Sequence, residues 1–205
     1  MEKKNYQKEM EAEIASLQGR RPTLLLHSCC GPCSSAVLER LVNHFRVTLL
    51  YYNPNIEPET EYEHRLSEQR RLLSLLPAEV PMMPCAWDNG AFEAFARDMA
   101  GEPEGGSRCL RCFRLRLDYT ARRAKENGFE YFTTTLSVSP HKNAEALNRI
   151  GREAGEEAGV RYLYADFKKQ NGYLRSLELS REYGLYRQDY CGCRYSKQER
   201  EAHGG

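Results

Sequence analysis

The sequence predicts an α/β fold of three layers: a mainly parallel sheet of about five strands between helices, ending in a helical C-terminal tail. Three observations carry this expectation. Short, near-continuous apolar runs, such as Thr23-Leu24-Leu25-Leu26 and Val47 through Tyr52, alternate with longer segments whose apolar residues recur at helical spacing. That alternation implies right-handed crossovers and strands covered on both faces. A chain of 205 residues, 40% of them hydrophobic, can bury a sizeable core without disulfide staples. No repeat or low-complexity linker divides it, so residues 1–205 are expected to form one domain, with 1–19 an accessory helix, 20–165 the α/β core and 166–205 the tail.

Taken in order, Glu2 to Gln18 reads as an amphipathic helix on Met10, Ile14 and Leu17. Thr23 to His27 is a buried strand, followed by a tight Cys/Gly/Pro/Ser loop and a helix from Ser34 to Asn43. Arg46 to Tyr52 is a second strand, stopped by Asn53-Pro54-Asn55. Thr60 to Leu76 is a charged helix carrying Leu66, Leu72, Leu73 and Leu76, and Val80 to Met83 is a short strand between prolines. A helix over Ala91 to Met99, a glycine-rich link over Gly101 to Gly106 and a basic helix from Cys109 to Asn127 follow. Glu130 to Thr135 is a strand, Asn143 to Ala158 a helix and Arg161 to Tyr164 the last strand. The tail carries Leu174, Leu177, Leu179 and Tyr183. In such sheets ligands sit beyond the carboxyl ends of the strands, so the loop after the first strand is where function is expected.

Composition narrows the class. The longest apolar runs fall far short of the roughly 20 residues a membrane span needs, and the first residues lack the apolar segment of a secretory signal. A cytoplasmic protein with no membrane partner is expected. Eight cysteines in a reducing compartment then point to metal ligands or redox groups more than to structural disulfides. The net charge of +1 gives no whole-molecule attraction to nucleic acid. Between Arg108 and Lys125, however, seven cationic residues face Asp118 alone, while Glu57, Glu59, Glu61 and Glu63 carry the opposite bias. A solvated helix face is the plain reading of such a run, but this one surrounds two cysteines.

The loop after the first strand is His27-Ser28-Cys29-Cys30-Gly31-Pro32-Cys33-Ser34-Ser35. A phosphate-cradling loop would carry more glycine, and here cysteine stands in those places. A helix N-terminus also lowers the pKa of a thiol beside it. Cys109-Leu110-Arg111-Cys112 puts two more thiols on one helix face. Cys29, Cys30, Cys109 and Cys112 would supply the four corners of a [4Fe–4S] cluster. Structural zinc and unligated thiols are the alternatives, although adjacent Cys29-Cys30 suits separate cluster corners better than one small ion. Cys191-Gly192-Cys193 can close only a small, strained ring, the easily reduced kind of disulfide. The pair therefore reads as a redox couple, as extra ligands or as ordinary surface thiols. Cys33 could bind a second ion, and Cys85 reads as a buried small apolar residue.

These residues resemble the cobalamin-independent epoxyqueuosine reductases of the QueH family. The markers are Leu25 through Cys33, Tyr52-Asn53-Pro54-Asn55-Ile56 with Glu61-Tyr62, Cys109-Leu110-Arg111-Cys112, Thr134 through Lys142, and Asp189-Tyr190-Cys191-Gly192-Cys193. Together and in order they span nearly the whole chain after its first twenty residues. The resemblance implies a PP-loop-like, nucleotide-hydrolase-like architecture and an oxidoreductase that converts epoxyqueuosine to queuosine at the wobble position of tRNA. It implies a [4Fe–4S] cluster on Cys29, Cys30, Cys109 and Cys112, a redox-active disulfide between Cys191 and Cys193, and a further iron beside the cluster. Cys33 and Asp88 are the candidates for that iron or for a proton donor.

A tRNA substrate calls for phosphate contacts, with Arg111, Arg114, His141, Lys142, Lys168 and Lys169 as candidates. An electron donor of unknown identity is implied as a partner. Two rivals remain: a PP-loop-like tRNA thiolase, which would need a glycine-rich phosphate loop after the first strand, and a zinc-stabilised RNA-binding module.

Overall fold

The central strands of the sheet are largely buried on both sides because helices cover both faces. In the computed structural model, which describes residues 4–202, the sheet contains β1 (Thr23–His27), β2 (Arg46–Leu50), β3 (Met82–Met83), β4 (Tyr131–Thr134) and β5 (Arg161–Tyr162). Their spatial order is β3-β2-β1-β4-β5, and every pairing is parallel. The expected mainly parallel sheet is thus wholly parallel. Leu24 and Leu26 of β1 join one apolar core and Leu25 the other, the period-two alternation of a strand buried on both faces.

The first core receives α1 (Tyr6–Ser16), α2 (Gly31–Leu41) and α3 (Glu59–Leu75), through Met10, Val37, Leu38, Leu41, Tyr62 and Leu66. The second receives α5 (Ser107–Glu126) and α6 (Ala144–Ala158), through Phe113, Leu117, Leu147 and Ile150. A third, smaller cluster ties α4 (Asn89–Ala96) and α5 to α8 (Arg194–Ala202) through Phe92, Phe95, Cys112, Cys193 and Tyr195. The remaining helix, α7 (Gly172–Glu182), packs against α2. Among the described residues, no helix is long and apolar enough to cross a membrane.

Several boundaries move for local reasons. The second helix starts at Gly31 rather than Ser34, because Pro32 fits a first turn whose N–H groups need no intrahelical acceptor. The first helix covers residues 6–16, with the Asn5 side chain accepting the Lys8 N–H; Glu2 and Lys3 lie outside the described residues. The strand expected to reach Thr135 stops at Thr134, whose hydroxyl accepts the Leu136 N–H and opens a 3-10 turn over Thr135–Val138. The two outer strands shrink to two residues each. Gly151 lets α6 approach β5: a Cβ there would lie 2.3 Å from the Tyr162 ring.

The chain runs outward from β1 through β2 to β3 and then returns to the other side of β1 as β4. The loops leaving β1 and β4 therefore flank the point where strand order reverses, which is where ligands bind in open parallel sheets.

Candidate active site

The loop after β1 presents Cys29, Cys30 and Cys33 at the start of α2, and among the described residues these three bring all their sulfurs within 4.8 Å of one another. Cys29 Sγ and Cys30 Sγ are 3.8 Å apart. The loop is held from below. The Asn53 side chain donates to the Ser28 carbonyl (2.9 Å), the Ser28 hydroxyl donates to Gln69 (2.7 Å), and the Ser34 hydroxyl donates to the Cys30 carbonyl (2.9 Å). Thr135, just past β4, accepts the Cys29 N–H at 3.0 Å and reaches Cys29 Sγ at 3.3 Å. Hydrogen bonds from Cys30 and Cys33, with Arg116 and Thr135 nearby, hold the Cys29 thiol well below its ordinary pKa. The same sharing pushes Cys30 up to about 11 and Cys33 well above the usual range.

The second pair rises from the first turn and a half of α5. Cys109 Sγ accepts the Gly105 N–H at 3.3 Å, while Cys112 is buried in the third apolar cluster. Burial raises both thiols, Cys112 to about 11. The third pair lies just before α8, with Cys191 Sγ and Cys193 Sγ as free thiols 3.4 Å apart. The Cys193 hydrogen bond, with Lys142 adding its charge, draws Cys191 down to about 5, and Cys193 is driven up in turn.

Two chambers join these groups. A cleft of about 1060 Å³ is lined by Cys29, Cys30, Cys33 and Cys191 among others. A small chamber of about 30 Å³ is lined by Cys109, Cys112, Cys191 and Cys193. They share Glu104, Arg116, His141, Lys142 and Cys191 as a common wall. Seven of the eight cysteines therefore open on one composite site. The compact sulfur group contains Cys33, which the sequence placed only as a spare, while Cys109 and Cys112 face the adjoining chamber.

Arg116 is the feature the sequence undervalued. It is 4% exposed, and among the described residues no carboxylate lies within 4.0 Å of it. Its guanidinium donates to Asn53 Oδ1 and sits beside Cys29 and Cys112, whose thiolates it favours. A buried cation without a carboxylate needs another counter-charge, and thiolates are the anions at hand. Burial, then Arg116, pushes His27 down to about 3, so its ring is neutral. His27 Nε2 lies 3.0 Å from the Tyr52 carbonyl and 3.3 Å from Arg116 Nε, and Nδ1 lies 2.8 Å from the Thr134 hydroxyl. With both nitrogens engaged, His27 is scaffolding. Burial lowers the pKa of Lys142, but the Cys191 and Cys29 thiolates outweigh it and leave the ammonium above its ordinary value.

The other expected residues scatter. Asp88 caps α4, accepting the Ala91 N–H at 3.3 Å, and lines neither chamber. Cys85 is half-buried against the Tyr119 hydroxyl at 3.8 Å. Arg111 lies over the Phe95 ring, and Arg114 is committed to Asp118, Glu153 and Glu157. Lys168 pairs with Asp166 at 2.8 Å and Lys169 is exposed, whereas His141 and Lys142 stand at the chamber wall. Arg116 could have been found from spacing. It follows Cys112 by four residues on the inward face of α5, among Phe113, Leu117 and Thr120.

The chain matches known proteins over most of its length. The family described as "Epoxyqueuosine reductase QueH" matches residues 24–199, which include all eight cysteines. A protein of that name from Streptococcus pyogenes serotype M1 is 39% identical over 201 residues, covering 95% of this chain and 79% of the relative. One from Staphylococcus epidermidis is 38% identical over 200 residues (94% and 84%), and one from Thermotoga maritima 35% identical over 180 (87% and 92%). The matched span runs from β1 through most of α8 and so takes in every part of the composite site, and on that similarity the chain belongs to the QueH family.

Proposed function

We propose that this protein is an epoxyqueuosine reductase: it removes the epoxide oxygen of epoxyqueuosine at the wobble position of tRNA and leaves queuosine. The observation that carries the reading is the meeting of seven cysteines, from three distant segments, at the switch point of a parallel sheet. The donor set suits a [4Fe–4S] cluster on Cys29, Cys30, Cys109 and Cys112, since soft thiolates are its usual ligands. Arg116, buried without a carboxylate, and Lys142 fit a centre that carries net negative charge. Cys33 is the spare thiol for a further iron beside it. Such a centre supplies electron transfer and Lewis acidity that side chains alone lack.

The chain's own residues do the rest. Removal of the epoxide oxygen as water consumes two electrons and two protons. Oxidation of the Cys191 thiolate and the Cys193 thiol to a disulfide releases two electrons and one proton, solvent supplies the second proton, and an external reductant returns the pair to its reduced form. With Cys191 ionised and Cys193 protonated near neutral pH, the couple holds one proton in place and lends the wall a thiolate. Lys142 and His141, at the mouth, meet the phosphates flanking the splayed anticodon base. The tRNA substrate places the enzyme in the cytoplasm.

Two measurements test this. In a strain lacking the gene, mass spectrometry of tRNA nucleosides should find epoxyqueuosine in place of queuosine, and unchanged queuosine rejects the activity. Protein purified without oxygen should be brown and contain iron and sulfide. A colourless protein containing zinc would favour a zinc-stabilised RNA-binding module instead.

A further inference from the structure

The sulfurs of Cys191 and Cys193 are useful as a couple only if the backbone between them stays in place, and a separate group of residues holds it. The Cys191 carbonyl accepts from Arg65 Nη1 at 3.3 Å and from Asn55 Nδ2 at 3.4 Å. The Gly192 carbonyl accepts the Glu57 N–H at 3.1 Å. Arg65 is 1% exposed, an uncommon place for a charge, and is fixed by Glu61 (Nε to Oε1, 2.7 Å) and by the Tyr190 ring, 4.9 Å from its guanidinium carbon. Among the described residues, Asn55 Oδ1 is buried without a hydrogen-bond partner. Burying an Arg costs stability unless its charge and donors are engaged, and here they are engaged by Glu61 and by the Cys191 carbonyl. Gly192 completes the fit: at φ +116° a side chain is strained, and a Cβ would lie 2.8 Å from Ile56 and 3.1 Å from Arg65 Nη1.

We propose that Arg65, assisted by Asn55, is a positioning residue that clasps the Cys191-Gly192-Cys193 loop and sets its dithiol–disulfide equilibrium. This deepens the redox role given above to that pair and rests on it. Closing the ring means 2 RSH → RS–SR + 2 H⁺ + 2 e⁻, with oxidised glutathione as the acceptor in the test. Ordering the loop in advance removes conformational entropy that ring closure would otherwise cost, which favours the disulfide. Releasing the loop favours the dithiol.

The test equilibrates metal-loaded protein in graded glutathione buffers and reads Cys191 and Cys193 by alkylation and mass spectrometry. Arg65→Met should shift the equilibrium about tenfold toward dithiol, equivalent to about 30 mV for a two-electron couple. Arg65→Lys, which can still donate to the Cys191 carbonyl, should recover most of the shift. Asn55→Ala should move it about threefold and serves if Arg65→Met does not fold. A folded Arg65→Met or Asn55→Ala within twofold of the parent overturns the clasp. If the parent itself forms no Cys191–Cys193 disulfide, the redox reading fails. The clasp then stands or falls on the alkylation rate of Cys191, expected to rise at least threefold in Arg65→Met; an unchanged rate overturns it.

Discussion

Cysteine chemistry in this site is decided by which neighbour shares a proton. Cys29 and Cys191 are each low because an adjacent thiol donates to them, while Cys30, Cys33 and Cys193 are correspondingly high. Labelling should expose the split. In reduced protein, alkylation at Cys191 should rise with pH through about 5 and be flat by neutrality, because its pKa is lowered and the thiolate is complete above it. A rate still climbing near the ordinary thiol pKa would contradict the assignment. The two cysteine groups should also part on substitution. Cys109→Ser should lose iron and activity together, a hydroxyl being a poor ligand for a soft centre. Cys191→Ser should keep iron and colour and lose at least 100-fold in turnover, in line with loss of an essential group. Loss of iron from Cys191→Ser would make it a ligand.

At the scale of elements, α5 serves both sides of its axis. Its inward face carries Cys109, Cys112 and Arg116 to the chambers, and its outward face carries Arg114 to α6. Arg114 bridges Asp118, Glu153 and Glu157 and so ties α5 to α6. Partly exposed pairs are each worth a fraction of a kcal/mol. Arg114→Ala should therefore cost about 1 kcal/mol, seen as a small fall in Tm, with tRNA affinity unchanged. The contact of α6 with β5 is less forgiving. Gly151→Ala sets a methyl against the Tyr162 ring and should cost about 1–3 kcal/mol. For a chain of this size that is a fall in Tm of roughly 2–4 °C per kcal/mol. A Gly151→Ala protein as stable as the parent would show that the helix can slide.

Across the whole molecule, a net charge of +1 leaves tRNA binding to the local field at the cleft mouth. Binding should still weaken with salt, and Lys142→Ala should reduce the slope of log K against log salt by about 0.7–0.9, the share of one phosphate contact. An unchanged slope would place Lys142 away from the RNA.

The sequence alone determined the strand and helix alternation, the buried β1, the cysteine loop after it and the cysteine pair on α5. Each of these is written in periodicity or in residues a few positions apart, and local spacing reports such things directly. It could not show that Cys33 closes on Cys29 and Cys30, because loop conformation around Gly31-Pro32 sets that distance. Nor could it show that Asn55 and Arg65 reach the Cys191 carbonyl from the far side of the sequence. Those contacts exist only once β1, β2 and β4 align their ends and α8 folds back onto α4 and α5, since burial and pairing between distant segments are properties of packing.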